Sequence, residues 1–366
     1  MNILITGIHG FVGSNLVVAL KEQHTIYGLD IVSPQKEGVA STFGWNELEQ
    51  LPSVDAVIHL AGKAHDTKNQ TNAQVYFDIN VGLTQKIFDW FLLSGAKKFI
   101  FFSSVKAAAD YVEGNILTED VVPAPKGPYG ESKIAAEEYI LSSQSEDGRR
   151  KTGDPLPERV FPEQRSGSKE AVEGNLEQES REQGAWGMEQ EAGSGLRTSV
   201  SGLPSSDKKV FILRPCMIHG PGNKGNLNLL YQIQQKGLPW PLGAFENKRS
   251  FCAVGNLQFA IQQLIEKDIQ PGVYQVADDE ALSTNELILI MAGSQNKKAK
   301  IWSVPAGWIK ALARTGDFLH LPLNSERLKK LTESYVVSNQ KLKTALGIEK
   351  MPVTAEEGLK KTFKSF

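Results

Sequence analysis

Residues 2–13 read NILITGIHGFVG, and this stretch decides the fold. A short apolar run passes directly into three spaced glycines, and FVGSNLVVALKE then continues with the apolar spacing of a helix. A strand that turns through glycines into a helix brings the backbone close to a pyrophosphate, and the helix N-terminus adds free N–H groups and a partial positive charge. The residues predicted to bind this pyrophosphate are Gly7, Gly10, Phe11, Val12 and Gly13.

The next apolar run, TIYGLD, ends at Asp30 and strengthens this interpretation. An acidic residue at the end of the second strand is placed to bond the ribose hydroxyls of a dinucleotide. It also repels a 2′-phosphate, so NAD(H) is favoured over NADP(H). The alternative is an ordinary turn residue at a strand end. His9 is interpreted as a loop residue and not as a catalyst.

Strand-like and helix-like runs alternate through the first 145 residues and predict the fold class. DAVIHLAG, KKFIFFSS and, later, KVFILRP are continuous apolar runs of the kind found in strands covered on both faces. The alternation implies a Rossmann-like doubly wound parallel sheet, an α/β fold. Residues 1–143 are predicted to form the dinucleotide-binding domain and 210–215 its last strand. Residues 216–366 are predicted to form mainly a smaller C-terminal α/β substrate lobe.

Residues 144–209 interrupt the pattern with a segment rich in Glu, Gln, Gly, Ser, Arg and Pro. Such a composition buries too little apolar surface to offset the entropy of ordering the chain. We therefore expect a disordered insertion. A partner-binding loop anchored by Val160, Phe161 and Trp186 is the alternative.

Composition excludes several classes of function. The 366 residues are 40% hydrophobic and 22% charged, with a formal net charge of -2, so a basic surface for nucleic acid is not expected. Cys216 and Cys252 have no metal-type spacing, and no metal site or disulfide framework is predicted. No apolar run has the length of a membrane span, and the first residues do not resemble a signal peptide. The expectation is a cytoplasmic protein.

Further candidate residues follow the ends of the later strands, where ligands gather in such folds. The apolar run DAVIHLAG ends in HLAG, and the small residues at its end would let the ribose of a cofactor approach closely. Asn80 is a buried polar candidate whose partners are either backbone or cofactor. Ser103 and Ser104 end KKFIFFSS. The cofactor-shell candidates from this group are Leu60, Ala61, Gly62, Asn80 and Ser103.

The stretch GPYGESK places Tyr129 four residues before Lys133 at the start of a predicted helix. Residues four apart share a helix face, so the ammonium can approach the phenol. A nearby cation favours the phenolate, and we therefore predict that Lys133 lowers the pKa of Tyr129 towards that of a general base. A surface Tyr beside a surface Lys is the alternative reading of this short motif.

The order of these motifs, closed by LRPCMIHGPG, resembles the extended short-chain dehydrogenase/reductase family of NAD-dependent nucleotide-sugar epimerases and dehydratases. The resemblance covers nearly the whole chain apart from the insertion. It implies that Tyr129 is the acid/base, that Lys133 also bonds the nicotinamide ribose, and that Ser104 shares the substrate oxygen. It also places Pro215 beside the cofactor, which would be NAD.

Other motifs indicate which subgroup of the family the sequence resembles. SSVKAAAD, GPGNKGNLNLL and LSTNEL are similar to bacterial UDP-sugar 4-epimerase-like proteins, including 4-keto reductases. Dehydratases carry an Asp-Glu pair where Val105 and Lys106 stand, so dehydration is disfavoured. Two residues depart from the usual pattern, His219 for a Tyr and Asn256 for an Asp, and the insertion is a third departure.

The resemblance implies a UDP-sugar substrate. The residues it suggests for substrate binding are Ser104, Asn226, Arg249 and Arg327, although Arg327 also reads as a solvated helix charge. The expected reaction is 4-epimerisation of a UDP-hexose through a 4-keto intermediate. The alternatives are an NAD(P)H-dependent 4-keto reductase of a UDP-6-deoxy-N-acetylhexosamine and a non-catalytic NAD(H)-binding protein. Relatives suggest a homodimer through helices at 73–95 and 129–145.

Overall fold

A parallel sheet of seven strands forms the centre of the first domain. The computed structural model describes residues 1–32, 34–64, 72–144, 207–223, 226–319 and 324–366. Within these residues the sheet has the strand order β3-β2-β1-β4-β5-β6-β9, and every neighbouring pair is parallel. Its strands are β1 (Asn2–Thr6), β2 (Thr25–Asp30), β3 (Ser41–Gly44), β4 (Ala56–His59), β5 (Lys98–Phe102), β6 (Lys209–Pro215) and β9 (Gly272–Val276).

Both faces of this sheet are buried, because alternate side chains of each strand enter different cores. In β5, for example, Ile100 and Phe102 face one core while Phe99 and Phe101 face the other. Helices α1 (Phe11–Leu20), α7 (Val254–Glu266) and α11 (Gln340–Leu346) cover the first face, and α2 (Ala73–Asn80), α3 (Gly82–Leu93) and α5 (Pro128–Ser142) cover the second. The predicted Rossmann-like doubly wound fold is confirmed.

The second lobe has a small mixed sheet and a core of its own. Its strands β7 (Met217–His219), β8 (Arg249–Ala253) and β10 (Ala281–Leu282) pair in the order β10-β8-β7. The other helices are α4 (Val105–Ala108), α6 (Asn226–Gln235), α8 (Thr284–Ser294), α9 (Ala306–Leu319), α10 (Ser325–Thr332) and α12 (Ala355–Lys364). None of the helices in the described ranges has the length and apolar character needed to cross a membrane.

The predicted domain boundaries need one correction. Residues 210–215 do not form the last strand of the first sheet, because β9 pairs with β6 from Phe211↔Gly272 to Pro215↔Val276. The chain therefore returns to the first sheet after entering the second lobe. Of the predicted insertion, 145–206 lie outside the described residues.

Candidate active site

The glycines of the first turn are required by close backbone approaches. Gly7 has φ +68°, and a Cβ at this position would lie 2.9 Å from the amide nitrogen of Ala61. A Cβ at Gly13 would lie 2.6 Å from the Gly7 carbonyl oxygen. Helix α1 begins after Gly10, which provides no side-chain cap. The turn is thus compact, and it borders the end of β4.

Asp30 ends β2 beside this turn. One carboxylate oxygen accepts hydrogen bonds from the backbone N–H of His9 (3.0 Å) and lies 3.2 Å from the His9 ring Nδ1, while the other accepts from the N–H of Ile31 (2.8 Å). These bonds hold the carboxylate at the carboxyl edge of the sheet. His9 is therefore not only a loop residue, because it orients Asp30.

A buried chain of hydrogen bonds joins the ends of β1 and β4 and was missed by sequence reasoning. The Thr6 hydroxyl accepts from the N–H groups of Leu60 and Ala61, so its proton is donated to His59 Nδ1 (2.7 Å). The Thr84 hydroxyl donates to the Asn80 carbonyl (2.6 Å), so it accepts from His59 Nε2–H (3.0 Å).

These contacts assign a neutral His59 with its proton on Nε2. Burial, and next the charge of Lys133, lower the pKa of His59 to about 3. The histidine therefore acts as a fixed connector between the strand end and α3. Its nearest sequence signal is HLAG, a strand terminus, which does not predict hydrogen-bond partners in two other elements, β1 and α3.

Asn80 fixes the turn that follows β4. Its amide donates to Ser132 Oγ (2.9 Å) and to the Lys63 carbonyl (3.1 Å), and it accepts from the Lys63 N–H (2.7 Å). A Cβ at Gly62 would lie 2.7 Å from Asn80 Oδ1 and 3.2 Å from Lys133 Nζ. Backbone partners thus use most of the Asn80 bonding capacity, and its predicted cofactor contact stays a prediction.

Ser104 and Tyr129 come together at the carboxyl end of β5. Ser104 caps helix α4, where its hydroxyl oxygen accepts from the Lys106 N–H (3.2 Å), and it forms a hydrogen bond with the Tyr129 phenol. The close approach depends on Gly130, where a Cβ would lie 2.5 Å from the Lys106 carbonyl oxygen. Because the serine accepts from a backbone amide, its own proton is free to bond the phenol oxygen.

Burial raises the pKa of Tyr129, and the hydrogen bond with Ser104 offsets this only in part. The prediction that Lys133 lowers the pKa of this phenol is therefore wrong. The ammonium of Lys133 donates instead to the Phe102 carbonyl (2.8 Å) and lies 5.1 Å from the Phe101 ring centre. Spacing along the helix correctly predicts a shared face, but not how strongly burial acts on each group.

Lys133 is itself buried, and desolvation lowers its pKa to about 8, although the carboxylate of Glu137 acts in the opposite direction. Its Nζ lies next to Gly62, whose turn continues to the glycines of the first loop through Ala61. Tyr129, Lys133 and the glycine turn therefore border one region at the carboxyl ends of β1, β4 and β5.

Ser103 belongs to a second buried network. Its hydroxyl donates to the Glu137 carboxylate, which also binds the Arg214 guanidinium through contacts of 2.6, 3.0 and 3.2 Å. Arg214 is 5% and Glu137 1% exposed. The network attaches α5 to β5 and β6, and it gives Ser103 a structural partner. Its predicted contact with a cofactor remains a prediction.

Two further predicted residues, Pro215 and Arg249, stand at the ends of strands. Pro215 is the last residue of β6 at the same edge of the sheet. Arg249 begins β8 and is electrostatically coupled to Glu333 and Tyr335. The Tyr335 hydroxyl donates to the Ala109 carbonyl (2.7 Å), directly after α4, so Arg249 is connected to the Ser104 helix.

Asn226 and Arg327 fall in α6 and α10, but their side chains lie outside the described parts of the structure, and their roles stay predictions. Val105 and Lys106 stand in α4 as predicted. The Lys106 ammonium bonds Asp110 (3.1 Å) and lies 4.7 Å from the Tyr335 ring centre. Neither Val105 nor Lys106 carries the carboxyl group that the Asp-Glu pair of dehydratases provides.

The two departures from the family pattern meet at one buried carboxylate, Asp278. His219 Nε2 lies 3.5 Å from one oxygen of Asp278, and Asn256 donates to the other at 2.7 Å. His219 Nδ1 also pairs with Thr362 of α12 (2.9 Å). His219 and Asn256 therefore stabilise the packing of the second lobe, and both are distant from Tyr129 in the sequence.

The fold and this arrangement define a class: a dinucleotide-binding α/β protein with a serine after β5 and a tyrosine and a lysine on α5, near the carboxyl edge of the sheet. Comparisons with known proteins agree. Residues 3–153 match the NAD dependent epimerase/dehydratase family. The predicted family resemblance is therefore confirmed.

Two curated relatives span most of the chain. A UDP-glucose 4-epimerase from Vibrio cholerae is 27% identical, over 100% of this chain and 95% of the relative. The N-acetyl-alpha-D-glucosaminyl-diphospho-ditrans,octacis-undecaprenol 4-epimerase of Escherichia coli O157:H7 is 26% identical, over 83% of this chain and 75% of the relative. Among solved structures, MoeE5 in complex with UDP-glucuronic acid and NAD superposes with a TM-score of 0.65 at 18% identity, over 100% of this chain and 98% of MoeE5. This last likeness supports the fold.

Clusters of at least three His, Cys, Asp or Glu residues that could hold a metal ion are absent from the residues that the structure describes.

Proposed function

We propose that this chain is an NAD-dependent nucleotide-sugar 4-epimerase that acts on a UDP-hexose. The observation that carries the proposal is the hydrogen bond between Ser104 and Tyr129 at the carboxyl end of β5, with Lys133 bonded to the Phe102 carbonyl of the same strand. A sensor or scaffold protein has no need of a paired hydroxyl and phenol at this position. The two curated relatives named above are both 4-epimerases by name.

The residues present fit NAD. The N-terminus of α1 follows a turn with no room for a side chain at Gly7, and Gly13 in the first turn of the helix has none either, which suits a pyrophosphate held by backbone N–H groups. Asp30 accepts bonds from backbone amides on both oxygens and retains lone pairs for a ribose diol. When bound, NAD supplies the hydride acceptor and donor.

The chain's own residues handle the proton of the sugar C4 hydroxyl. Tyr129 is the group that takes and returns this proton, because it is the titratable side chain bonded to Ser104. Ser104 accepts the Lys106 N–H, which orients the serine proton towards the phenol oxygen and stabilises negative charge there. Lys133, with a pKa of about 8, carries a positive charge at neutral pH and lies one helical turn from Tyr129 in α5, where it is the candidate for bonding the nicotinamide ribose.

Arg249 is the best supported substrate residue. Arg249 stands at the start of β8 and is coupled electrostatically to Tyr335, whose hydroxyl bonds the Ala109 carbonyl just after α4, and this connection with the Ser104 helix supports the choice. A guanidinium can clamp a diphosphate with two parallel hydrogen bonds. We propose that it binds the diphosphate of a UDP-sugar, with Asn226 and Arg327 as further candidates. A cytoplasmic homodimer is proposed on the family resemblance alone.

A second candidate is a 4-keto reductase that uses the same residues in one direction. The raised pKa of Tyr129 favours this alternative, because a protonated phenol is the acid that reduction of a ketone needs. In an epimerase the cofactor is recycled, whereas in a reductase it is consumed.

The two activities separate in one assay. Purified protein is incubated with a panel of UDP-hexoses and no added reductant, and the products are separated by chromatography. Interconversion of C4 epimers supports the epimerase. Stoichiometric oxidation of NADH or NADPH by a 4-keto sugar nucleotide, without interconversion, supports the reductase. NAD binding with neither reaction would contradict both, and would support a non-catalytic NAD(H)-binding protein. Mass spectrometry of a co-purifying nucleotide identifies the cofactor and narrows the panel.

A further inference from the structure

Helix α9 has two apolar faces, and one of them is exposed. Ile309 and Ala313 are buried in the core of the second lobe. Trp308 and Leu312, four residues apart, share another face of the helix and are 76% and 53% exposed. Phe318, at the border of this face, is 83% exposed. The exposed face therefore carries large side chains that the described part of the chain does not bury.

The neighbouring strand-like segment extends this surface. Trp240 donates its backbone N–H to the Lys300 carbonyl (2.7 Å), and Trp302 donates its own to the Trp240 carbonyl (2.8 Å). Side chains two apart on such a segment point to the same side, so Lys300 and Trp302 project together. Trp240 is buried, whereas Trp302 is 59% exposed. Leu238, at the other end of this pairing, is 52% exposed.

A basic cleft lies at the end of the same pairing. It has a volume of about 470 Å³, and half of its eight lining residues are lysines: Lys236, Lys297, Lys298 and Lys300, beside Gln234, Gln235, Gly237 and Leu238. Residues 287–316 contain no Asp or Glu and five basic residues, which are Lys297, Lys298, Lys300, Lys310 and Arg314. This is a local excess of positive charge in a chain whose formal net charge is -2.

The exposed tryptophans and the lysines together favour one binding partner for this surface over another. Two copies of the chain that met through this surface in a symmetric dimer would place one basic cleft against the other, which like charges oppose. A bilayer with anionic headgroups instead complements the lysines, while the interface between headgroups and acyl chains is where tryptophan is enriched. Long lysine side chains can also keep their ammonium groups at the headgroups while their stems cover apolar surface.

We propose that this chain docks peripherally on anionic phospholipid bilayers through α9 and the basic cleft. Trp302, Trp308, Leu312 and Phe318 enter the interfacial region, and the cleft lysines bind headgroup phosphates. The helix lies in the plane of the interface, in the manner of an amphipathic helix with aromatic and basic residues. This surface is independent of the Tyr129 region and of the reaction proposed there.

Vesicle sedimentation of the full chain tests the proposal. Vesicles of phosphatidylcholine mixed with phosphatidylglycerol are compared with vesicles of phosphatidylcholine alone, at low and at high ionic strength. Binding is expected to the anionic vesicles, to weaken with salt, and to be weak on neutral vesicles. The indole fluorescence is expected to shift to shorter wavelength on binding.

Matched variants locate the surface. Trp302→Ser with Trp308→Ser removes apolar contacts, and Lys297→Gln with Lys298→Gln and Lys300→Gln removes charge. Each set is expected to weaken vesicle binding roughly tenfold or more and to leave turnover of a soluble sugar nucleotide unchanged. Val122→Ser and Lys350→Gln, which change exposed residues elsewhere, are the controls and should bind as the parent does.

Three results would overturn the proposal: absence of binding to anionic vesicles, equal binding to neutral ones, or binding that neither set of variants weakens. Self-association that the tryptophan variants abolish, in a protein that ignores vesicles, would assign the surface to a second copy of the chain instead. Because the readout is lipid binding, failure here leaves the 4-epimerase proposal untouched.

Discussion

Replacing Glu137 by Gln perturbs both the stability of the first domain and the chemistry of its site. Glu137 is almost fully buried and holds Arg214 through three contacts of 2.6–3.2 Å, while accepting the Ser103 proton. Removal of one partner leaves a buried guanidinium without its counter-charge, which costs about 3–5 kcal/mol. Because glutamine keeps one carbonyl oxygen for Ser103, we expect the lower end of this range, about 3 kcal/mol.

The same substitution acts on Lys133. The charge of Glu137 opposes the desolvation that lowers the pKa of Lys133 to about 8. Without that charge the pKa of the lysine falls below 8, so the ammonium is lost at lower pH. If the positive form of Lys133 supports turnover, the alkaline limb of the pH–rate profile moves towards neutral pH in Glu137→Gln. A residue with only a structural role would lower the amount of folded enzyme without moving this limb.

Three measurements test this reasoning. Denaturant unfolding gives the loss of stability, which corresponds to a melting temperature lower by roughly 5–10 °C. Glu137→Gln combined with Arg214→Met removes both charges and is expected to recover much of the lost stability. The pH–rate profile is then recorded for the parent and for Glu137→Gln. A loss below about 1 kcal/mol, or an unmoved alkaline limb, would refute the account of this network.

Two further substitutions probe how the site is positioned. In His59→Gln, stability becomes less dependent on pH: the folded parent keeps His59 neutral down to about pH 3, whereas the unfolded chain binds a proton below its ordinary value of 6.5. The parent therefore has this contribution in full above pH 6.5 and loses it as the pH falls towards 3, with a slope of at most about 1.4 kcal/mol per pH unit. Unfolding free energies measured across this range should show a shallower slope in the variant, and equal slopes would contradict the neutral assignment. In Gly130→Ala, the added Cβ would lie 2.5 Å from the Lys106 carbonyl, so α5 must shift from α4 and carry Tyr129 away from Ser104. Turnover should fall roughly 10- to 100-fold, whereas Gly82→Ala, which meets nothing within 4 Å, should be active, and equal activity of both variants would rule out this positioning role.

The local features of the fold were predictable from the sequence. The run NILITG ends in a glycine because the backbone of Gly7 adopts a left-handed conformation against Ala61, and such a requirement leaves a local sequence signal. Apolar runs without alternation correctly predicted strands buried on both faces. The approach of Tyr129 to a strand-end serine also followed from placing Ser104 after β5.

Long-range pairings were not predictable in the same way. The pairing of β9 with β6 joins residues 211 and 272, and periodicity along the chain says nothing about partners at that distance. The bonds of His59 with Thr6 and Thr84 depend equally on contacts between separate elements. The direction of the Tyr129 pKa was missed for a different reason: spacing shows that a cation is near, but burial, which sequence spacing does not measure, acts more strongly.

The most direct test of the central claim, that Tyr129 transfers the proton at the sugar C4, is turnover of the Tyr129→Phe variant. The substitution keeps the ring, which packs 6.4 Å from Tyr76, and removes only the hydroxyl bonded to Ser104. Tyr111→Phe, at an exposed tyrosine, is the matched control. We predict that Tyr129→Phe loses roughly 10²–10⁴-fold in turnover while its folding and NAD binding remain. Turnover equal to that of the control would contradict the account.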